Sequence, residues 1–290
     1  MTTKEIPVIW LQGSGCSGCS ISVMNASSPK IKNLLLDEIV PGKRVNLLFH
    51  ATLMAHQGGP SIKILKNTQK EKKKNYLLVV EGSIPTAEKG KYATVGEEKE
   101  KTLTLLEELE ELAKTALKII ALGSCSSFGG IPKAQPNPTG CKSVKEILTE
   151  KNITTPLINI PGCPPHPDWF LGTISVLLLE RNLELDDLLR PKLFFSQLIH
   201  ENCPRRAEFD KGKFAKNLSE EGCLYQLGCK GHFTYGDCPL REWNEGINWC
   251  VKAGSPCLGC TEPGFPDFNS PFYEKIKLGT LKECIDTNLR

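Results

Sequence analysis

The chain has 290 residues, and its 36 basic against 33 acidic side chains leave a formal net charge of +3. That balance excludes a nucleic-acid surface, which needs a clustered basic face; no apolar run is long enough to span a membrane, the longest, Leu171 to Leu179, being broken by Gly172, Thr173 and Ser175. Thirteen cysteines with no basic-then-apolar leader point to a reducing cytoplasm, or to the periplasm if a signal was removed before residue 1.

Val8 to Leu11 is a short apolar run of buried-strand type, followed at once by Gly13-Ser-Gly-Cys-Ser-Gly-Cys19. Ile21 to Leu36 predicts a helix interrupted near Pro29. Val45 to Phe49 predicts a second strand, and Tyr76 to Val80 a third that ends in the loop Glu81-Gly-Ser-Ile-Pro85. Between these two strands the run Lys70 to Lys74 reads as a solvated loop. Leucines 105, 109 and 112 sit at helical spacing among acidic residues and predict an amphipathic helix from Glu97 to Leu117. Lys118 to Leu122 is a fourth strand running into Gly123-Ser-Cys125-Ser-Ser-Phe-Gly-Gly130, and Leu157 to Ile160 a fifth running into Pro161-Gly-Cys163-Pro-Pro-His-Pro167. Short apolar strands alternating with helices predict parallel β-α-β units.

In an open parallel sheet the loops at the carboxyl ends of the strands share one edge. Cys16, Cys19, Cys125 and Cys163 all follow strands, so four thiolates drawn from widely separated positions converge there, as a four-iron cluster requires. Glycines 13, 15, 18, 123 and 162 let the backbone pass close to such a group. For any one of these loops alone, an ordinary glycine-rich turn with an incidental cysteine is an equal reading.

The charged stretch Glu184 to Lys192 leads into a different region, and the chain divides into an N-terminal domain, 1–180, and a smaller irregular one, 181–290. His200, Cys203, Cys223, Cys229, Cys238, Cys250, Cys257 and Cys260 lie in the second, seven of the thirteen cysteines within about sixty residues of weak apolar periodicity. Such a segment is held by metal, whose binding energy is also folding energy. Iron–sulfur clusters and structural zinc both use thiolates; disulfides need an oxidising compartment and leave the His200/Cys203 and Cys257/Cys260 spacings without a reason.

Taken together, the ordered motifs resemble the small subunit of nickel–iron hydrogenases from Trp10 to Phe272. They are Leu-Gln-Gly-Ser-Gly-Cys-Ser-Gly-Cys-Ser, Val-Glu-Gly-Ser-Ile-Pro-Thr, Gly-Ser-Cys-Ser-Ser-Phe-Gly-Gly, Pro-Asn-Pro-Thr-Gly, Pro-Gly-Cys-Pro-Pro-His-Pro, Arg-Pro-Lys-Leu-Phe-Phe, His-Glu-Asn-Cys-Pro-Arg-Arg and Pro-Cys-Leu-Gly-Cys-Thr-Glu-Pro-Gly-Phe-Pro-Asp. The resemblance implies a flavodoxin-like α/β domain followed by a cluster domain, with three iron–sulfur clusters in a line. It assigns Cys16, Cys19, Cys125 and Cys163 to the proximal cluster, His200, Cys203, Cys223 and Cys229 to the distal one, and Cys238, Cys257 and Cys260 to the medial one.

Most members of the family carry a proline seven residues before the first cysteine of the Pro-Cys-x-Gly-Cys motif and hold three irons at the medial site. Here Cys250 stands in that place, which implies a fourth medial ligand and three 4Fe–4S clusters. Cys141 and Cys284 match no ligand position and read as free thiols. Glu81 lies at the cluster edge, where it either hydrogen-bonds backbone amides or assists proton passage. The extra cysteines of the oxygen-tolerant branch would fall at Gly18 and Gly130, implying an ordinary proximal cubane.

The resemblance further implies an oxidoreductase acting on hydrogen only as a complex. The nickel site, NiFe or NiFeSe, belongs to a large subunit, and this chain passes electrons to a redox partner such as a ferredoxin, a cytochrome or a further subunit. Three alternatives stand beside it: a quinone-reductase subunit of the respiratory type, a regulatory hydrogen-sensing complex, and a zinc scaffold. The first uses adjacent cysteines at its first ligand pair, unlike Cys16 and Cys19, and lacks the second cluster domain.

Overall fold

Strand β1, Lys4–Gln12, lies in the sheet of the first unit with β2 (Lys43–His50) on one side and β3 (Leu77–Glu81) on the other. In the computed structural model, which describes residues 3–38 and 40–274, two compact units divide after Phe194. Helix Pro167–Leu178 and the segment after it stay with the first unit, beyond the expected boundary at residue 180. Asn159 holds that segment, its backbone N–H donating to the Leu189 carbonyl at 2.9 Å and its side-chain amide to that of Leu188 at 2.8 Å.

After β3 comes an antiparallel hairpin, β4 (Thr94–Glu98) and β5 (Lys101–Thr104), and then β6 (Lys118–Leu122) and β7 (Leu157–Ile160). The main sheet has the order β2-β1-β3-β6-β7, and every pairing in it is parallel. This is the doubly wound, flavodoxin-like order, whose switch point lies between β1 and β3. Both faces are buried, which is why the strands read as continuous apolar runs. Ile9, Leu11, Leu78, Val80, Ile119 and Ala121 form one core with Leu105, Leu109 and Leu112, while Trp10 packs its ring against Phe170 at 5.2 Å on the alternate side.

The helix expected from Glu97 begins only at Leu105 and ends at Thr115. Residues 97–104 belong to the hairpin, and a reciprocal cap sets the boundary: Thr104 Oγ1 accepts from the Glu107 N–H at 3.2 Å while the Glu107 carboxylate accepts from the Thr104 N–H. The interrupted helix appears as two, Gly18–Met24 and Ile31–Leu36, on either side of Pro29. A helix at Gly59–Glu71, started by Pro60 in its first turn, was not anticipated, and it takes in Lys70 at the edge of the expected loop. Tyr76 precedes β3, and Glu81 is the last residue of that strand, paired with Gln12 and Leu122, where a loop position was expected.

The second unit, from Phe195, contains only short helical turns among its described residues, including Arg206–Asp210, Leu224–Leu227 and Cys238–Arg241. Its apolar core is small: Ile199, Ala215, Leu224, Leu227, Trp249, Val251 and Cys257, with Cys203, Cys229 and Cys238 packed against it. No helix among the described residues is long and apolar enough to cross a membrane. Cys284 lies outside the described residues.

Candidate functional site

Four loops at the carboxyl edge of the sheet are tied in pairs by main-chain bonds, and the pairs are tied to each other by a side-chain bond. Ser14 and Ser83 exchange two hydrogen bonds of 2.9 Å, joining the β1 and β3 loops. Gly123 N–H donates to the Ile160 carbonyl at 2.8 Å and Ser124 N–H to that of Gly162 at 3.0 Å, joining the β6 and β7 loops. Ser22 closes the set by donating its hydroxyl to the Pro165 carbonyl at 2.6 Å. Gly123 sits at φ +91°, and a Cβ there would meet the Cys19 sulfur at 2.4 Å, so this close approach requires glycine.

The geometry brings Cys16, Cys19, Cys125 and Cys163 together. Burial pushes the Cys19 thiol up, and the Glu81 carboxylate, then the Cys125, Cys16 and Cys163 sulfurs, add to the effect. Burial likewise pushes Cys125 up to about 12, with Cys163 and Cys16 contributing. Crowded buried sulfurs of this kind resist ionisation unless a cation neutralises them. Cys141, fully buried, belongs to the electrostatic surroundings of Cys125; its sulfur contacts the Thr139 hydroxyl at 3.2 Å.

In the second unit, Cys203, Cys223 and Cys229 share one environment. Burial raises all three, and Cys223 reaches about 11, with Cys229 and Cys203 among the causes. His200 joins them through the backbone: its N–H donates to the Gly231 carbonyl at 3.0 Å, and its carbonyl accepts from Cys203 N–H at 3.4 Å. The His200 ring stands edge-on to Phe209 at 4.7 Å and is held below its usual range, first by burial and then by Arg206.

Cys238, Cys250, Cys257 and Cys260 form the remaining group. Burial raises Cys238, with Cys260 and Cys250 next among the causes; burial also raises Cys257, with Cys229, Cys260 and Cys238 contributing. Cys250 is the most exposed of the four. One residue near these groups carries no signal in the sequence: His232, pushed down to about 4 chiefly by burial, with Tyr225 at 5.1 Å and Phe233 at 4.8 Å. No spacing rule singles it out, because its surroundings come from three separate turns.

Among the described residues, no three His, Cys, Asp or Glu side chains approach closely enough to share one metal ion. A tetrahedral zinc site needs that convergence on a point. A cubane gives each sulfur its own iron, so the ligands surround a volume, and thiol-rich sets that crowd one another without meeting fit it.

Two family models match the chain: the C-terminal family of NiFe/NiFeSe hydrogenase small subunits over residues 195–273, and NADH ubiquinone oxidoreductase, 20 Kd subunit, over residues 16–177. The chain is similar to the periplasmic NiFeSe hydrogenase small subunit of Desulfomicrobium baculatum, 46% identical over 93% of this chain and 87% of that one. It is 41% identical to the periplasmic NiFe hydrogenase small subunit of Solidesulfovibrio fructosivorans, over 95% of this chain and 84% of that one. Among solved structures, it superimposes on the reduced, active form of the Ni-Fe-Se hydrogenase from Desulfomicrobium baculatum with a TM-score of 0.89, at 46% identity, covering 94% of this chain and 100% of that one.

Proposed function

The chain belongs to the family of nickel–iron and nickel–iron–selenium hydrogenase small subunits, and from that membership we propose how its own residues serve it. Its part is electron transfer within a heterodimer, and with the large subunit it makes up an oxidoreductase acting on hydrogen. The first unit also matches the respiratory 20 Kd subunit family, but the second cluster domain sets the whole chain among hydrogenases. The similar proteins are named as enzyme subunits, and the sensor reading is not carried further. Small subunits of the family carry iron–sulfur clusters, which supply one-electron transfer.

We propose that Cys16, Cys19, Cys125 and Cys163 hold a proximal four-iron cluster, Cys238, Cys250, Cys257 and Cys260 a medial one, and His200, Cys203, Cys223 and Cys229 a distal one. The observation that carries this is the convergence of the first four sulfurs from three loops that are hydrogen-bonded to one another. For the medial set, the support is that Cys250 and Cys260 both belong to the surroundings of Cys238. The neutral imidazole of His200 makes the distal cluster less negative than four thiolates would, easing electron arrival. The surface around Cys16, where Ile21 is 53% and Ile131 56% exposed beside the cluster loops, is the face that the large subunit buries.

The electron acceptor is a ferredoxin, a cytochrome or a further electron-transfer subunit. Cysteines consumed by iron do not report the redox compartment, so their number no longer argues for one location. The periplasmic names of the similar proteins support a periplasmic location, with the cytoplasm as the alternative; cell fractionation separates the two. Copurification with metal analysis tests the whole assignment. Nickel in the complex and about twelve irons on this chain are expected; a colourless chain containing zinc overturns it.

A further inference from the structure

Glu81 is 3% exposed, and no Lys, Arg or His side chain among the described residues lies within ion-pair distance of it. Its hydrogen bonds all run inward. Oε1 accepts from the Ser20 backbone N–H at 3.0 Å. Oε2 accepts from the Trp10 indole N–H at 3.0 Å, from the Gln12 amide at 3.4 Å, and closely from the Ser20 hydroxyl.

The directions of these bonds are fixed by their neighbours. Thr52 N–H donates to His50 Nδ1 at 3.2 Å, which assigns the proton of this imidazole to Nε2. Burial keeps His50 neutral by lowering its affinity for a second proton. Nε2–H then donates to Ser20 Oγ at 3.2 Å, and Gln12 Nε2 donates to the same oxygen at 3.2 Å. With two donors already pointing at it, Ser20 Oγ can direct its own proton only to Glu81. Gln12 is oriented in turn by Thr52, whose hydroxyl donates to Gln12 Oε1 at 2.7 Å. The carboxylate thus terminates a chain of donors and donates nothing, which is the pattern of an ionised group. The order also excludes a hydrolytic triad, because the acid contacts the serine and not the histidine.

This charge bears on the cluster loop. Ser20, whose backbone N–H and hydroxyl both donate to Glu81, is the residue directly after Cys19, so the carboxylate is bonded to the peptide that joins Ser20 to this ligand. Resting on the cluster assignment above, we propose that Glu81 is a positioning residue for electron transfer. It is a fixed buried anion, held by Trp10, Gln12 and Ser20, whose field disfavours an added electron at the proximal site and keeps that potential low. In a site shielded from water, a single uncompensated charge acts far more strongly than at a surface.

The test uses the intact heterodimer, with the three cluster potentials followed by electron paramagnetic resonance during redox titration. Iron content and the reduced spectrum of the wild type judge the cluster assignment by themselves. Glu81→Gln should shift the proximal couple to more positive potential and leave the medial and distal couples unmoved. Glu81→Asp, which retains the charge, should stay much nearer the wild type. An unmoved proximal couple in Glu81→Gln, or equal shifts in Gln and Asp, overturns the proposal. Should the Gln variant fail to assemble, Ser20→Ala decides: removing the closest donor to the carboxylate leaves its charge less compensated and should move the proximal couple to more negative potential, and an unmoved couple refutes the proposal.

Discussion

The backbone N–H of Cys257 donates a 3.3 Å hydrogen bond to the sulfur of Cys229. The two residues are assigned to different clusters, medial and distal, so one bond joins the frames of both. The Cys257 carbonyl accepts from Lys230 N–H at 2.8 Å, and the clip is therefore double. Cys257 is 6% exposed and packs with Ile199, Leu224 and Trp249. Cys229→Ala removes the sulfur that accepts this bond, and is expected to release iron from both sites, beyond one cluster's share. Iron analysis with electron paramagnetic resonance checks this, and an unaltered medial signal counts against it.

Cys250 gives the opposite expectation, because its replacement removes a ligand at the exposed corner without touching that clip. The oxidised complex should lack the narrow three-iron signal, and Cys250→Pro should acquire it while the distal signal stays in place. A strong three-iron signal in the wild type sinks the four-ligand medial assignment.

In the first unit, Lys66 and Glu108 join two helices through a 2.6 Å ion pair in which Glu108 is 2% exposed and Lys66 26%. Lys66→Met strands a buried carboxylate and is expected to cost about 3 kcal/mol. The paired replacement Lys66→Met with Glu108→Leu should recover most of that loss. Thermal midpoints of the complex at a fixed scan rate report both, and equal midpoints for the single and paired variants contradict this account of the pair.

The sheet was legible because β3, β6 and β7 are buried on both faces and β1 nearly so, while the partly exposed edge strand β2 still carries the apolar run Leu47 to Phe49. The cysteine loops were legible for a related reason: parallel topology brings strand ends to one edge whatever the intervening sequence. The β4–β5 hairpin was not, since Glu97 to Lys101 is rich in helix-forming side chains and the deciding signal was the local cap at Thr104 and Glu107. A backbone amide donor to Glu81 was expected, and Ser20 N–H is one, but the identity of the donors and the side chains among them were not legible. Trp10, Gln12 and Ser20 reach it only once β1 pairs with β3, and no local pattern encodes that.

Two histidines outside the proposed ligand sets make the fold sensitive to mild acid. His50 and His232 are held below the ordinary value of 6.5, chiefly by burial, and His232 reaches about 4. Between those values the unfolded chain binds more protons than the folded one, so stability is fully present above about pH 6.5 and falls as pH drops towards 4. At about 1.4 kcal/mol per unit, His232 alone contributes on the order of 3 kcal/mol across the window. Its ring bonds the Cys229 backbone while Nδ1 has no hydrogen-bond partner, so His232→Phe should flatten the dependence of the thermal midpoint on pH at a modest cost at neutrality. An unchanged slope excludes His232 as the source.

Gly18 and Gly130, the positions where oxygen-tolerant relatives would carry extra cysteines, are not equivalent in this fold. A Cβ at Gly18 would stand 3.1 Å from the Cys16 sulfur and 3.8 Å from Pro164, at an ordinary φ. At Gly130 the backbone has φ +53°, and a Cβ would lie 2.8 Å from both Cα and N of Cys125 and 2.9 Å from its sulfur. The first is a tight contact that a side chain can relieve; the second requires main chain at a cluster ligand to move, with about 1 kcal/mol of left-handed strain added. Gly18→Cys is therefore expected to keep the iron content of the chain. Gly130→Ala and Gly130→Cys are expected to lose proximal iron, and the double cysteine variant should not sustain hydrogen oxidation in air. Full iron and an unaltered proximal spectrum in Gly130→Ala would show that the loop yields more easily than these distances allow.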